Sequence, residues 1–139
     1  MTDEKKRQLL ALAQESEPFD RHNHVQIVDV DDGWARVELD IHPETLNRWG
    51  IPHGGILFTI SDVACGMAIL TVRHESCVTV NGSLDFISAA PPSGRISAMG
   101  RVRKVGGKMA FCDSEIVDES GKLIATGHTV MYFTGQALL

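Results

Sequence analysis

The 139-residue chain has no excess of positive charge: 13 Lys and Arg stand against 18 Asp and Glu, a formal net charge of −5. That counts against non-specific nucleic-acid binding, which needs a basic surface to displace counterions from phosphates. Cysteine is scarce as well. Cys65, Cys77 and Cys112 lack the C-x-x-C or Cys/His spacing of a zinc or redox centre, and they read as reduced, buried thiols. No metal and no bound organic cofactor is expected. The N-terminus, MTDEKKRQLLALAQESEP, has only five consecutive apolar residues, Leu9 to Ala13, short of the roughly 7–15 of a secretory signal core. The expected location is therefore cytoplasmic. Repeats, linkers and low-complexity segments are absent too. Gly54 to Val72 lacks Lys and Arg and could pass for a membrane span. A central Asp62, however, costs about 2.5–3.5 kcal/mol on insertion scales. A helix buried inside a soluble protein, with no membrane contact, is the better reading.

What is present is a 43% hydrophobic composition, enough for one core, so residues 1–139 are expected to form a single domain. Residues 3–16 read as a short amphipathic helix docking Leu9, Leu10 and Leu12, with Asp3, Glu4, Lys5 and Lys6 outside, ended by Pro18. Ala35, Val37, Leu39 and Ile41 alternate with Arg36, Glu38 and Asp40, the mark of a half-buried strand over Trp34 to Ile41. His24 to Val30 pairs with it through Asp31-Asp32-Gly33, with a bulge at Ile27-Val28. A loop over 42–55 leads to a buried helix from about Ile56 to Thr71. Four strands follow: Val78 to Ile87, Arg95 to Val105, Met109 to Val117 and Leu123 to Phe133. Such strands exceed the usual five to six residues, and a helix apolar almost all round needs covering on every side. An α+β architecture satisfies both: an antiparallel sheet of about six strands curled around one long helix, plus the short N-terminal helix.

The segment Asn47 to Asp62 carries the chemistry. His53-Gly54-Gly55 at the mouth of a helix leaves backbone N–H groups unpaired at the positive end of the dipole, an oxyanion-binding device; it is equally a loop needing unusual dihedrals. Gly55, Thr59, Asp62 and Gly66 form one stripe of small or polar residues on an apolar rod. A carboxylate there must pair, protonate or do work, or else cap backbone in the core. Gly55 and Asp62 lie about 10.5 Å apart along the axis, so no single carbonyl carbon touches both. A two-fold dimer with antiparallel central helices, each lending its N-terminus to the other's carboxylate, would make two shared sites.

Asn47 six residues before the His-Gly-Gly, with Asp62 nine residues after the His, resembles the hotdog-fold acyl-CoA thioesterases of the phenylacetate-degradation PaaI type, within the 4-hydroxybenzoyl-CoA thioesterase superfamily. The resemblance runs from Asn47 to Phe133. It implies a hotdog fold, with the Gly54 amide polarising the thioester carbonyl, Asp62 as catalytic carboxylate and Asn47 helping to hold the attacking water. Thr79 stands where related enzymes place a serine. The resemblance makes His53 a loop-shaping residue rather than a base, and leans toward aryl or arylacetyl thioesters. Phe58, Met67, Leu70 and Phe86 are expected to line an acyl pocket that would also take a medium aliphatic chain. Gly55 is expected beside the substrate, and homodimers paired into a homotetramer are implied. Arg101, Arg103, Lys104 and Lys108 flank Gly106-Gly107; they are a solvated hairpin or, in a CoA-binding protein, a hold for the nucleotide phosphates. The rival readings are a hotdog dehydratase, which needs an acid near Gly66-Met67 that is missing here, and a non-catalytic acyl-CoA binding or sensing protein.

Overall fold

Asp3–Ser16 forms α1, whose first turn is closed by the Thr2 hydroxyl accepting the Lys5 N–H at 3.2 Å. The computed structural model describes residues 1–139, the side chain of Ser16 apart. Pro18 interrupts the helix because it lacks an N–H, yet no loop follows: it opens a second helix, α2 (Pro18–His22), from the first-turn position that proline suits. Lys6, expected outside, folds back onto the next strand. That strand, β1 (Val25–Asp31), pairs with β2 (Trp34–Asp40), and the anticipated bulge lies between Ile27 and Asp29.

The predicted loop contains a 3-10 turn at Pro43–Thr45. The long helix α3 then spans Gly54–Val72, starting before the expected Ile56 because His53 caps it. β3 (Glu75–Phe86), β4 (Arg95–Val105), β5 (Met109–Asp118) and β6 (Leu123–Ala137) complete the chain. β3 starts before Val78 and β6 outlasts Phe133, since the two strands pair from Glu75 opposite Ala137 to Phe86 opposite Ala125.

All strand pairs are antiparallel, in the order β1-β2-β4-β5-β6-β3. The sheet wraps α3, whose Ile60, Ala64, Cys65, Ala68 and Ile69 are fully buried together with Val37, Leu39, Ala98 and Ile116 of the sheet. This is the expected α+β hotdog arrangement. α3 is long and apolar enough to cross a membrane, but most of it serves as the core. Contact is closest at Gly100 of β4, where a Cβ would stand 2.5 Å from the Ala64 carbonyl oxygen; only glycine lets helix and strand lie so near.

The two edge strands differ. α1 packs on β1, with Lys6 Nζ 3.3 Å from Asp29 and the N-terminal ammonium 3.0 Å from Asp32 beside it. β3 has no such cover, and Val78 and Val80 are 50% and 52% exposed.

Candidate active site

At the start of α3 the His53 side chain accepts the Gly55 N–H through Nδ1 at 2.8 Å, and the His53 carbonyl accepts the N–H groups of Ile56 at 3.0 Å and Leu57 at 3.4 Å. Of these first helical donors, Gly54 N–H is left without an acceptor among the described residues. The expectation that both glycine amides face a ligand is thus corrected: the Gly55 amide is spent on the cap. His53 must keep Nδ1 bare to hold that cap, which suits the loop-shaping role and not that of a base. A side chain at either glycine would crowd a different neighbour. A Cβ on Gly55 would stand 3.0 Å from His53 Nδ1, and one on Gly54 3.3 Å from the ring of Phe86.

Asp62 follows about 12 Å along the axis from Gly54. Thr79 of β3 donates its hydroxyl to Asp62 Oδ1 at 2.5 Å. A bulge at Val80, where Thr79 opposes Met131 but Asn81 opposes Val130, sits next to this bond. Bulges re-aim neighbouring side chains in this way. Asn47 Oδ1 accepts the N–H groups of Trp49 at 2.9 Å and Ile51 at 3.4 Å. Its oxygen therefore shapes the loop, and only Nδ2 remains to donate. Thr59, part of the predicted polar stripe, turns its hydroxyl back onto the Gly55 carbonyl at 3.0 Å.

Two hollows flank Asp62. One, of about 400 Å³, is lined by Gly66, Met67, Leu70, Cys77, Thr79 and Met131 among others. The other, of about 380 Å³, is shallower and borders Phe58, Thr59, Gly82 and Ser83. The expected acyl pocket is therefore divided. Phe58 and Met67 are nine residues apart, half a turn out of phase at 100° per residue, so one helix cannot present both to one cavity. Phe58 instead meets Phe86 edge-on, with ring centroids 6.1 Å apart, beside Gly54. Cys77 is half-buried rather than buried; its thiol is pushed up by burial and then by the Asp62 and Glu75 carboxylates. It stays protonated and offers no rival nucleophile.

Asp20 of α2 also lines the larger of these hollows, a residue the sequence did not single out. It is only 8% exposed and has no hydrogen bond or ion pair among the described residues. Burial, then Glu17 and Asp62, push its carboxyl up to about 6. An acid in the first turn after a proline is ordinary helix-dipole chemistry, so no local signal marks its burial.

The basic residues sit apart from this centre. Arg103 occupies a bulge in β4, its guanidinium 3.4 Å from Asp113, which also bonds His128 Nδ1 at 3.0 Å. Lys104 and Lys108 are exposed and have no carboxylate partner among the described residues. Arg73, at the other end of α3 from Gly54, donates to the carbonyls of Gly106 at 3.2 Å and Gly107 at 2.9 Å, tying this hairpin to the helix.

The family model of the thioesterase superfamily matches residues 50–125, the stretch holding Gly54, Asp62 and Thr79. The chain is 32% identical over 108 residues to acyl-coenzyme A thioesterase 13 of Pongo abelii, covering 76% of this chain and 77% of that protein. It is 28% identical over 105 residues to the acyl-coenzyme A thioesterase PaaI of Escherichia coli, covering 73% and 71%. The solved structure of that PaaI superposes with a TM-score of 0.85 over 94% of this chain and 99% of its own, at 23% identity. A hypothetical thioesterase of Streptococcus pneumoniae, solved with coenzyme A, superposes with a TM-score of 0.76 at 25% identity, over 81% and 88%.

Proposed function

This chain belongs to the thioesterase superfamily, and on that premise we propose that it hydrolyses an acyl-coenzyme A thioester to the free acid and CoA, at sites shared between two protomers. Thioester hydrolysis comes with the family. CoA as the thiol is supported by the relatives named acyl-coenzyme A thioesterases and by the one solved with coenzyme A.

The observation that carries the reading is an unpaired Gly54 N–H at the positive end of α3 and a Thr79-held Asp62 on the same helix, too far apart to serve one carbonyl. Antiparallel α3 helices in a two-fold dimer bring the amide of one protomer to the carboxylate of its partner. The bare β3 edge supports this arrangement, because a long unpaired strand is a template for a second copy. Further pairing of dimers into a tetramer completes the proposed assembly.

Asp62 and Asn47 Nδ2 hold a water. Its oxygen bonds to the thioester carbon while a proton passes to Asp62, and the carbonyl electrons move onto the oxygen facing the Gly54 N–H. Collapse breaks the carbon–sulfur bond, and the CoA thiolate takes the proton from Asp62. In the direct variant Asp62 attacks first, CoA leaves and water opens the anhydride. Thr79 is a positioning residue in both. Lys104 and Lys108 receive the nucleotide phosphates, and Arg103, shared with Asp113, contributes less. CoA enters as substrate and no cofactor takes part. The acyl group, aryl, arylacetyl or medium-chain, lies in the hollow lined by Met67 and Leu70, while Gly55, Phe58 and His53 frame the mouth.

Thiol release from phenylacetyl, benzoyl, hydroxybenzoyl and aliphatic CoA thioesters, with Asp62→Asn alongside, tests the reading. Turnover that collapses in the variant is expected, and unchanged turnover overturns it. Acyl-CoA that protects the fold against heat without being cleaved would make this a binding protein.

A further inference from the structure

We propose that Asp20 reads the far end of the acyl group, accepting a hydrogen bond from a hydroxyl or amine there and turning away acyl groups that end in a carboxylate. This rests on the thioesterase reading and narrows it.

Asp20 stands where two cavities meet. The hollow beside Asp62 shares Ala13, Glu17, Asp20 and Ile27 with a larger one of about 700 Å³ between α1, α2 and β1, which adds Gln14 and Gln26 among others. An acyl chain whose thioester lies at Asp62 and which passes Met67 and Leu70 thus runs toward a carboxyl, not toward a closed apolar end. Asp20 is only 8% exposed as a residue, yet no side chain or backbone group among the described residues hydrogen-bonds its carboxyl. Buried polar groups are nearly always satisfied. Among the described residues no side-chain oxygen is both sealed from solvent and unpaired, so the Asp20 oxygens open onto the cavities, where a ligand can reach them. An acyl group bearing a donor supplies the missing bond, whereas a plain hydrocarbon end strips water from Asp20 and returns nothing.

The sign of the charge follows from the neighbours. Glu17 and Asp62 border the same hollow, as does Glu75, which Arg73 pairs at 3.2 Å, and no Lys, Arg or His lines it. Arg21 and His24 line only the outer cavity. A terminal carboxylate would enter among Asp20, Glu17 and Asp62, none of them ion-paired among the described residues, while a hydroxyl or amine meets acceptors.

The test uses matched CoA thioesters. Hexanoyl-CoA or phenylacetyl-CoA, whichever turns over faster, is the parent; its terminal hydroxyl and terminal carboxyl derivatives complete the set. Thiol release is expected to give kcat/KM about tenfold higher for the hydroxyl derivative than for the parent, and lower for the carboxyl derivative by at least as much. Asp20→Leu should level the hydroxyl preference, mainly through KM, while cleavage of the parent persists. Asp20→Asn, which keeps an accepting oxygen without the charge, should retain part of the hydroxyl preference and relax the rejection of the carboxylate. Substrate ratios the same in wild type and Asp20→Asn overturn the proposal, and a merely structural Asp20 would leave those ratios unmoved. If Asp20→Leu does not fold, Asp20→Asn alone decides. Should no thioester be cleaved, the thioesterase reading falls, and the same ratios are read as Kd values by calorimetry on the uncleaved set.

Discussion

At its β1 edge the sheet is finished by the chain itself, whereas at β3 it is left bare. β1 carries Asp29 and Asp31 and is packed under α1, which Lys6 and the N-terminal ammonium pin in place. β3 shows Val78, Val80 and Phe86 to solvent, and it carries the threonine that holds Asp62. A covering helix and charge are how proteins close an edge they do not use. The contrast teaches that the open edge coincides with the candidate site: the strand that holds Asp62 is also the one proposed to meet a second copy.

The comparison can be broken first at Asp62. Asp62→Asn should lower turnover by about three orders of magnitude, the range expected when a general base or nucleophile is lost, measured as thiol release on the best substrate. Next, Val80→Lys on β3 should yield a folded monomer by sedimentation, with activity down by about a hundredfold, because Gly54 and Asp62 no longer meet. A fully active Val80→Lys monomer would show that the open edge has nothing to do with catalysis.

Under the β1 cover, Asp20 sharpens the contrast through stability. Its folded carboxyl, at about 6, lies above the unfolded value of 3.8. The folded state therefore favours the neutral form, and stability falls as pH rises from about 4 through 6. Asp20→Asn should be more stable than wild type by about 1–2 kcal/mol at pH 7.5 in urea unfolding, less than the full shift implies because the carboxyl oxygens are not sealed from solvent. The difference should vanish below about pH 4. Smallest of all, Lys104→Ala should raise KM for acyl-CoA about threefold to fivefold and leave kcat nearly intact.

Much of the fold was legible because alternation is a local record of burial. Ala35, Val37 and Leu39 point inward as their spacing says. α3 announced itself by length and by apolar residues on every side. β3 was harder to delimit: it is exposed on both faces along most of its length, and its extent is set by β6, a partner distant in sequence. Within the candidate site, the structure joins Thr79 to Asp62 and sets Gly54 at the start of α3, as the spacing along the helix implies. The spent amide of Gly55 depends on the rotamer of His53, and the removal of Phe86 from the acyl pocket depends on where β3 docks; neither is written in spacing. Asp20 was invisible for a similar reason, since its burial comes from packing between α2 and the rest of the chain.

The pairing of β3 with β6 has a further consequence, for the order in which the molecule assembles. β1 with β2 and β4 with β5 are hairpins closed across short turns, but Cys77 meets Phe133 and Phe86 meets Ala125. Contacts so distant in sequence form slowly and late. During synthesis, α3 with its amide and Asp62 emerges long before the strand that anchors Thr79 has a neighbour to pair with. A chain still short of β6 thus has a sheet and a helix but no neighbour for β3, and under the proposed mechanism it is expected to be silent toward thioesters until β6 is in place.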